Sequence, residues 1–152
     1  MLAWGSAPRS GKENLISAES AIHFRRHFVH HSRDAPIAQQ GHPSHHLSTK
    51  NRESSLESHM RPRVHAYLAT ICRDLGAELV HVGGVADHVH IVTTLPRTLS
   101  QADFVEQMKK VSSKWIKTLD ARYRGFFWQR GYGALSVNPS QLKALLQYIE
   151  AQ

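Results

Sequence analysis

The chain has 152 residues, which suits a single domain with a real core. Its 19 Lys and Arg against 12 Asp and Glu leave a formal charge of +7, favouring a polyanionic partner, nucleic acid before membrane. No apolar run approaches the roughly 18 residues of a membrane span, no secretory leader pattern is present, and the single Cys72 excludes an internal disulfide, so the expected location is the cytoplasm.

Residues 1–45 differ in character from the remainder. The first part mixes Gly, Ser, Pro and Lys without periodicity, and the stretch from His30 to His46 is rich in His, Gln, Ser and Pro. Such composition predicts a disordered segment. His27, His30, His31, His42, His45 and His46 offer a conceivable metal-binding tail. Their spacing matches no closed zinc pattern and no Cys joins them, which favours a solvated tail. The domain is therefore expected over residues 46–152, beginning with His46-Leu47-Ser48-Thr49-Lys50-Asn51-Arg52.

Val64, Tyr67, Leu68, Ile71 and Leu75 recur at helical spacing, with Pro62 near the start and Gly76 just past the end. A short strand over Glu78–Val82, a Gly83-Gly84 turn and a strand over Val85–Leu95 then read as a hairpin. On the second strand His88 and His90 share one face, while Val89 and Ile91 take the other. Two such imidazoles, about 7 Å apart at their Cα atoms, can converge on one cation. An arbitrary His-x-His pair more often has one ring against the core and one in water, so the pair needs support from elsewhere in the chain.

Ser100 caps a second predicted helix with the stripe Phe104, Val105, Met108, Val111, Trp115 and Leu119. Lys109, Lys110, Lys114 and Lys117 occupy much of its other side, a plausible phosphate track if it lies beside a metal pair. Arg124 and Arg130 extend the basic region among Tyr123, Phe126, Phe127, Trp128 and Tyr132, a mixture suited to stacking unpaired bases, although at least one of Phe127 and Trp128 is expected in the core. A last strand through Leu135 leads to Asn138-Pro139-Ser140 and a final helix with Leu142, Leu145, Leu146 and Ile149 as its buried stripe. Tyr148 and Gln152 stand at i and i+4 on a flank of that helix. A histidine pair, a Tyr/Gln pair and a basic surface together suit metal-assisted transesterification of a phosphodiester.

At this point the sequence resembles the HUH-type single-tyrosine transposases, in particular the REP-associated and IS200-like group. The resemblance runs in order through Ser48-Thr49-Lys50-Asn51-Arg52, Gly83-Gly84-Val85-Ala86-Asp87-His88-Val89-His90, Leu95-Pro96-Arg97-Thr98-Leu99-Ser100, Ser112-Ser113-Lys114-Trp115, Trp128-Gln129-Arg130-Gly131-Tyr132-Gly133-Ala134 and Tyr148-Ile149-Glu150-Ala151-Gln152. It implies an α+β fold, a small antiparallel sheet with helices packed on one side and the nucleophile on the last helix. It also implies His88, His90 and Gln152 as ligands of Mg²⁺ or Mn²⁺, with Tyr148 as the nucleophile. The partner implied is hairpin-bearing single-stranded DNA, cut through a 5′-phosphotyrosine intermediate. A homodimer is implied as well, with the active site shared between subunits.

Two departures from the family shape the reading. The apolar first strand is reduced to little more than His45-His46-Leu47, and the chain stops at Gln152, where relatives continue. A first strand so shortened would leave neighbouring backbone groups unpaired. The alternative function is therefore a catalytically inactive relative that only binds DNA hairpins.

Overall fold

The computed structural model describes residues 42–152. The tail histidines His27, His30 and His31, and the disorder expected before residue 42, lie outside those residues.

Four strands form one sheet in the order β2-β3-β1-β4: β1 His42–Ser48, β2 Glu78–Gly84, β3 His88–Thr94 and β4 Gly133–Val137. Every pairing is antiparallel. The first strand starts earlier than the sequence reading placed it and is central, with Ser44↔Val92 to Ser48↔His88 on one side and His42↔Val137 to His46↔Gly133 on the other. Residues 42–45 thus belong to the sheet rather than to a disordered segment. The short apolar content misled because a central strand needs only its inward side chains apolar, and here the aromatic His45 and Leu47 serve. Both are fully buried.

Between β1 and β2 runs α1 (Arg61–Asp74), and between β3 and β4 runs α2 (Gln101–Leu119). Pro62 sits in the first turn of α1, and Gly76, just past its end, adopts a φ of +73°. The α1 stripe of Val64, Tyr67, Leu68 and Ile71 is buried, and Tyr67 stacks on Trp115 of α2 at 4.2 Å between ring centroids. Ser100 caps α2 as predicted: its Oγ accepts from the Asp103 N–H at 3.1 Å and donates to the Asp103 carboxylate at 2.7 Å. Phe104, Val105, Met108 and Ile116 then turn inward, each worth roughly 1.5–3 kcal/mol when fully buried.

These two helices cover the sheet face that carries His45, Leu47, Val89 and Ile91. The contact is direct: the His45 ring lies 4.9 Å from that of Phe104. The opposite face carries His46, His88 and His90, and it receives the third helix, α3 (Pro139–Glu150). Only Ile149 of the predicted α3 stripe is buried; Leu142, Leu145 and Leu146 are half-buried. α3 therefore rests on the sheet through a narrow seam. Gly83 makes the seam possible, because a Cβ there would stand 2.6 Å from Ile149 Cγ2. Gly84 permits the tight return into β3, since its Cβ would meet the His88 carbonyl oxygen at 2.2 Å.

Candidate functional site

Antiparallel partners present their side chains on the same face, so the register His46↔His90 and Ser48↔His88 sets three histidines together. Ring centroids stand 4.8 Å apart for His46 and His88, 4.8 Å for His46 and His90, and 5.0 Å for His88 and His90. One nitrogen from each lies within 4.8 Å of the others. His88 and His90 were expected here; His46, expected at the very start of the domain and considered as a ligand only with the tail histidines, is also a member of the cluster. Strand alternation alone could have placed His46 with Ser48, but not on the strand beside His90.

α3 brings the remaining pieces. Tyr148 stands with its ring 6.1 Å from that of His90, at 76° to it, and is 57% exposed. One turn later Gln152 Oε1 reaches to 3.2 Å from His88 Nε2. A single chain thus collects His88, His90, Tyr148 and Gln152 in one place.

The residues that aim His88 were not singled out from sequence, although both stand in the segments that carried the resemblance. His88 Nδ1–H donates to Asp87 Oδ1 at 2.7 Å, and Arg52 Nε–H donates to Asp87 Oδ2 at 2.8 Å. Desolvation opposes ionisation of Asp87, but the hydrogen bonds from His88 and Arg52 outweigh it and hold the carboxyl below its ordinary range. Arg52 is presented by a short turn, Lys50–Arg52, in which Asn51 and Arg52 adopt φ of 55° and 57°. Thr49 ties that turn to the hairpin: its N–H donates to the Asp87 carbonyl at 2.9 Å, its hydroxyl lies 2.6 Å from the Glu53 carbonyl and 3.1 Å from that of Asp87, and its own carbonyl accepts from the Arg52 N–H at 3.0 Å.

With Nδ1 committed to Asp87, His88 turns its Nε2 toward the carbonyl oxygen of Gln152. The 3.2 Å between these two atoms is short enough for both to share one cation. His90 Nε2 is buried and has no hydrogen-bond partner. Burial first, then the neighbouring His46 and His88, push the His90 pKa down to about 4. Burial, with His88 and Arg52 adding to it, also lowers that of His46. His46 and His90 thus favour the neutral imidazole, the form in which histidine ligates metal. On this donor chemistry the residues fit a divalent cation.

The predicted basic residues are distributed differently. Lys110 and Lys114 are exposed on the outer side of α2, which puts the sheet between them and the histidines rather than beside the metal pair. Lys109 turns to the backbone, donating to the Gln129 carbonyl at 2.6 Å and to the Gly131 carbonyl. Lys117 Nζ lies 3.6 Å above the Phe127 ring, with Lys50 Nζ at 5.8 Å. Arg124 and Arg130 are exposed. Phe127 is 52% exposed, whereas Trp128 is buried and donates its indole N–H to Ser112 Oγ at 2.9 Å. Trp128 is thus the core member of that pair.

A four-stranded antiparallel sheet with helices of this kind is the α+β fold of solved transposases. A transposase candidate from Deinococcus radiodurans R1 superposes with a TM-score of 0.62 at 22% identity, over 80% of this chain and 98% of that one. A REP-associated tyrosine transposase, bound to a REP hairpin in its own structure, superposes with a TM-score of 0.56 at 16% identity, over 79% of this chain and 70% of that one. Among curated proteins none matches the chain significantly. The profile of the family described as "Transposase IS200 like" matches residues 43–152, and the chain belongs to that family. Its function class is that of a transposase. Among the described residues no helix is long and apolar enough to cross a membrane.

Proposed function

We propose that the protein cleaves and rejoins hairpin-bearing single-stranded DNA through Tyr148. The observation that carries this reading is the placement of α3, which sets an exposed Tyr148 against His90 while Gln152 reaches His88. Tyr148 Oη attacks the scissile phosphorus, an O–P bond forms, and the bond from phosphorus to the 3′ oxygen breaks. The phenolic proton leaves and the departing 3′ oxygen gains one, so a 5′-phosphotyrosine and a 3′-hydroxyl result. Rejoining reverses the exchange, and no nucleotide cofactor is needed because the covalent link retains the phosphodiester energy.

His88, His90 and Gln152 would hold Mg²⁺ or Mn²⁺. What a bound cation supplies there is Lewis-acid polarisation of the phosphate. Asp87 fixes the His88 tautomer and Arg52 fixes Asp87, so the lone pair stays aimed at the site. Phe127, exposed between Lys117 and Lys50, supplies a stacking surface flanked by positive charge, as an unpaired base next to its phosphate requires. Lys110, Lys114, Arg124 and Arg130 would contact the phosphate backbone at a distance from the chemistry. The half-buried Leu142, Leu145 and Leu146 of α3 and the 70% exposed Leu135 of β4 suit an interface with a second copy.

The test is covalent-adduct formation on hairpin-bearing single-stranded DNA with Mn²⁺. Wild type should give a protein–DNA adduct that resists denaturation, and Tyr148→Phe none. An adduct formed by Tyr148→Phe would refute the nucleophile. Salt-sensitive binding without any adduct in wild type would favour the hairpin-binding alternative.

A further inference from the structure

The family pattern supplies two histidines from one strand and a polar side chain from the last helix. This chain adds a third imidazole from a different strand. We propose that His46 is a metal ligand, so that the centre is a three-histidine site with Gln152 as a displaceable fourth group that yields its position to the phosphate, built to take a borderline transition cation of the Zn²⁺ or Co²⁺ type in preference to Mg²⁺. The proposal rests on the metal-assisted reading above and specifies which metal that site selects.

Position comes first. β1 lies between β3 and β4, and its His46 is paired directly with His90 on one side and with Gly133 on the other. Gly133 has no side chain, so the side chain directly opposite His46 is that of His90. The His46 ring then stands at the same 4.8 Å centroid distance from His88 as from His90. A residue merely filling the sheet face has no reason to be equidistant from both members of a ligand pair. The three nitrogens fall within 4.8 Å of one another. A tetrahedral centre with bonds near 2.1 Å needs roughly 3.4 Å between nitrogens, which small rotations of the rings supply.

The donor set determines the metal. Mg²⁺ prefers oxygen ligands in a near-octahedral shell and keeps several waters, whereas imidazole suits Zn²⁺, Co²⁺ and their neighbours. Two imidazoles and an amide oxygen leave that choice open. Three imidazoles move it to the transition series. The support under the cluster matches such a centre, because His88 has the carboxylate partner that typically orients a metal-bound imidazole.

The experiment uses the full chain, stripped with chelator and titrated with Co²⁺, and reads the visible d–d absorption of the bound ion. Any uptake by the histidines before β1 is subtracted by taking the site's own spectrum as the difference between wild type and His88→Ala/His90→Ala. His46→Val, a strand-favouring replacement, is measured alone and in that double-variant background, with circular dichroism verifying the fold. The expected result is an intense low-coordinate Co²⁺ band in wild type, displaced by one equivalent of Zn²⁺ and not by millimolar Mg²⁺. His46→Val should weaken Co²⁺ binding by at least about tenfold and change the band, yet have no effect in the double-variant background. An unchanged affinity and band in folded His46→Val would overturn the role of His46, as would Mg²⁺ displacing Co²⁺ with equal strength. The reading of Tyr148 fails separately, by absence of the covalent adduct in protein whose Co²⁺ band is intact.

Discussion

Asp87 and His88 are neighbours in sequence on adjacent positions of a strand entry, yet their side chains meet at 2.7 Å. Successive residues on a regular strand point to opposite faces, so the contact requires Asp87 to lie outside β3, in the turn that Gly84 closes. Arg52 then holds the second carboxylate oxygen. Asp87→Asn leaves the shape intact and removes the charge, so the Nδ1 proton is no longer fixed. Metal affinity should fall about 10- to 100-fold with the fold unchanged. Calorimetric titration of the apo-protein measures it. Arg52→Ala should have a smaller effect, because Arg52 is largely exposed and acts through Asp87.

Phe127 is a large apolar ring left in solvent while its neighbours Phe126 and Trp128 are buried. Burial gives no reason for it, and the two lysines around it give a functional one. Phe127→Ala should weaken binding of single-stranded DNA by about 1–3 kcal/mol, measured by fluorescence anisotropy. Thermal stability should barely move, since little buried area is lost. A melting temperature that falls with the affinity would instead assign Phe127 to the core.

Gly83 controls how closely α3 approaches the histidines. A methyl group there would stand 2.6 Å from Ile149 Cγ2, and Ile149 is the one fully seated residue of α3. Gly83→Ala should displace the helix, cost about 1–3 kcal/mol, and slow adduct formation by moving Tyr148 and Gln152. Gly83→Ala/Ile149→Ala removes the colliding atom and should recover adduct formation relative to Gly83→Ala alone. Recovery separates a local clash from general destabilisation.

Much of this was legible in the sequence, and what was not has a physical reason. The helices over residues 61–74 and 101–119 announced themselves by apolar spacing and by Pro62, Gly76 and Ser100. His88, His90, Tyr148 and Gln152 were picked out and are brought together. His46 was missed because a strand with polar residues on both sides shows no alternation, and only pairing with β3 reveals which face matters. Asp87 was missed because its role depends on a turn geometry, not on a spacing. Of the α2 lysines expected to form a phosphate track, Lys110 and Lys114 face solvent while Lys109 and Lys117 turn to backbone carbonyls and to the Phe127 ring, and a helix stripe cannot say which face of a sheet the helix will cover.

His45 occupies the core with both ring nitrogens buried and unbonded. Desolvation pushes its pKa down to about 4 from an ordinary 6.5. Below 6.5 the unfolded chain binds a proton that the native chain refuses, so stability is full above that value and declines as pH falls toward 4. The loss attributable to this residue approaches about 3 kcal/mol at the acid end. Denaturant midpoints for wild type and His45→Leu, followed from about pH 7 to about pH 4.5, should shift relative to one another in favour of the variant as pH falls. His90, shifted for the same first reason, retains its own share of the acid sensitivity in the variant.

α3 reaches its own chain's histidines, whereas the family resemblance implies that a tyrosine helix can serve the other subunit. The two arrangements differ only in which copy of the sheet Ile149 seats upon. Mixing Tyr148→Phe with His88→Ala/His90→Ala distinguishes them, because each variant lacks what the other retains. With α3 seated in its own chain, as the 3.2 Å approach of Gln152 to His88 has it, the mixture should form no more adduct than the variants alone. Exchange of α3 between two copies would place an intact Tyr148 on intact histidines and restore about a quarter of wild-type adduct, because random pairing makes half the dimers mixed and each mixed dimer has one working site of two.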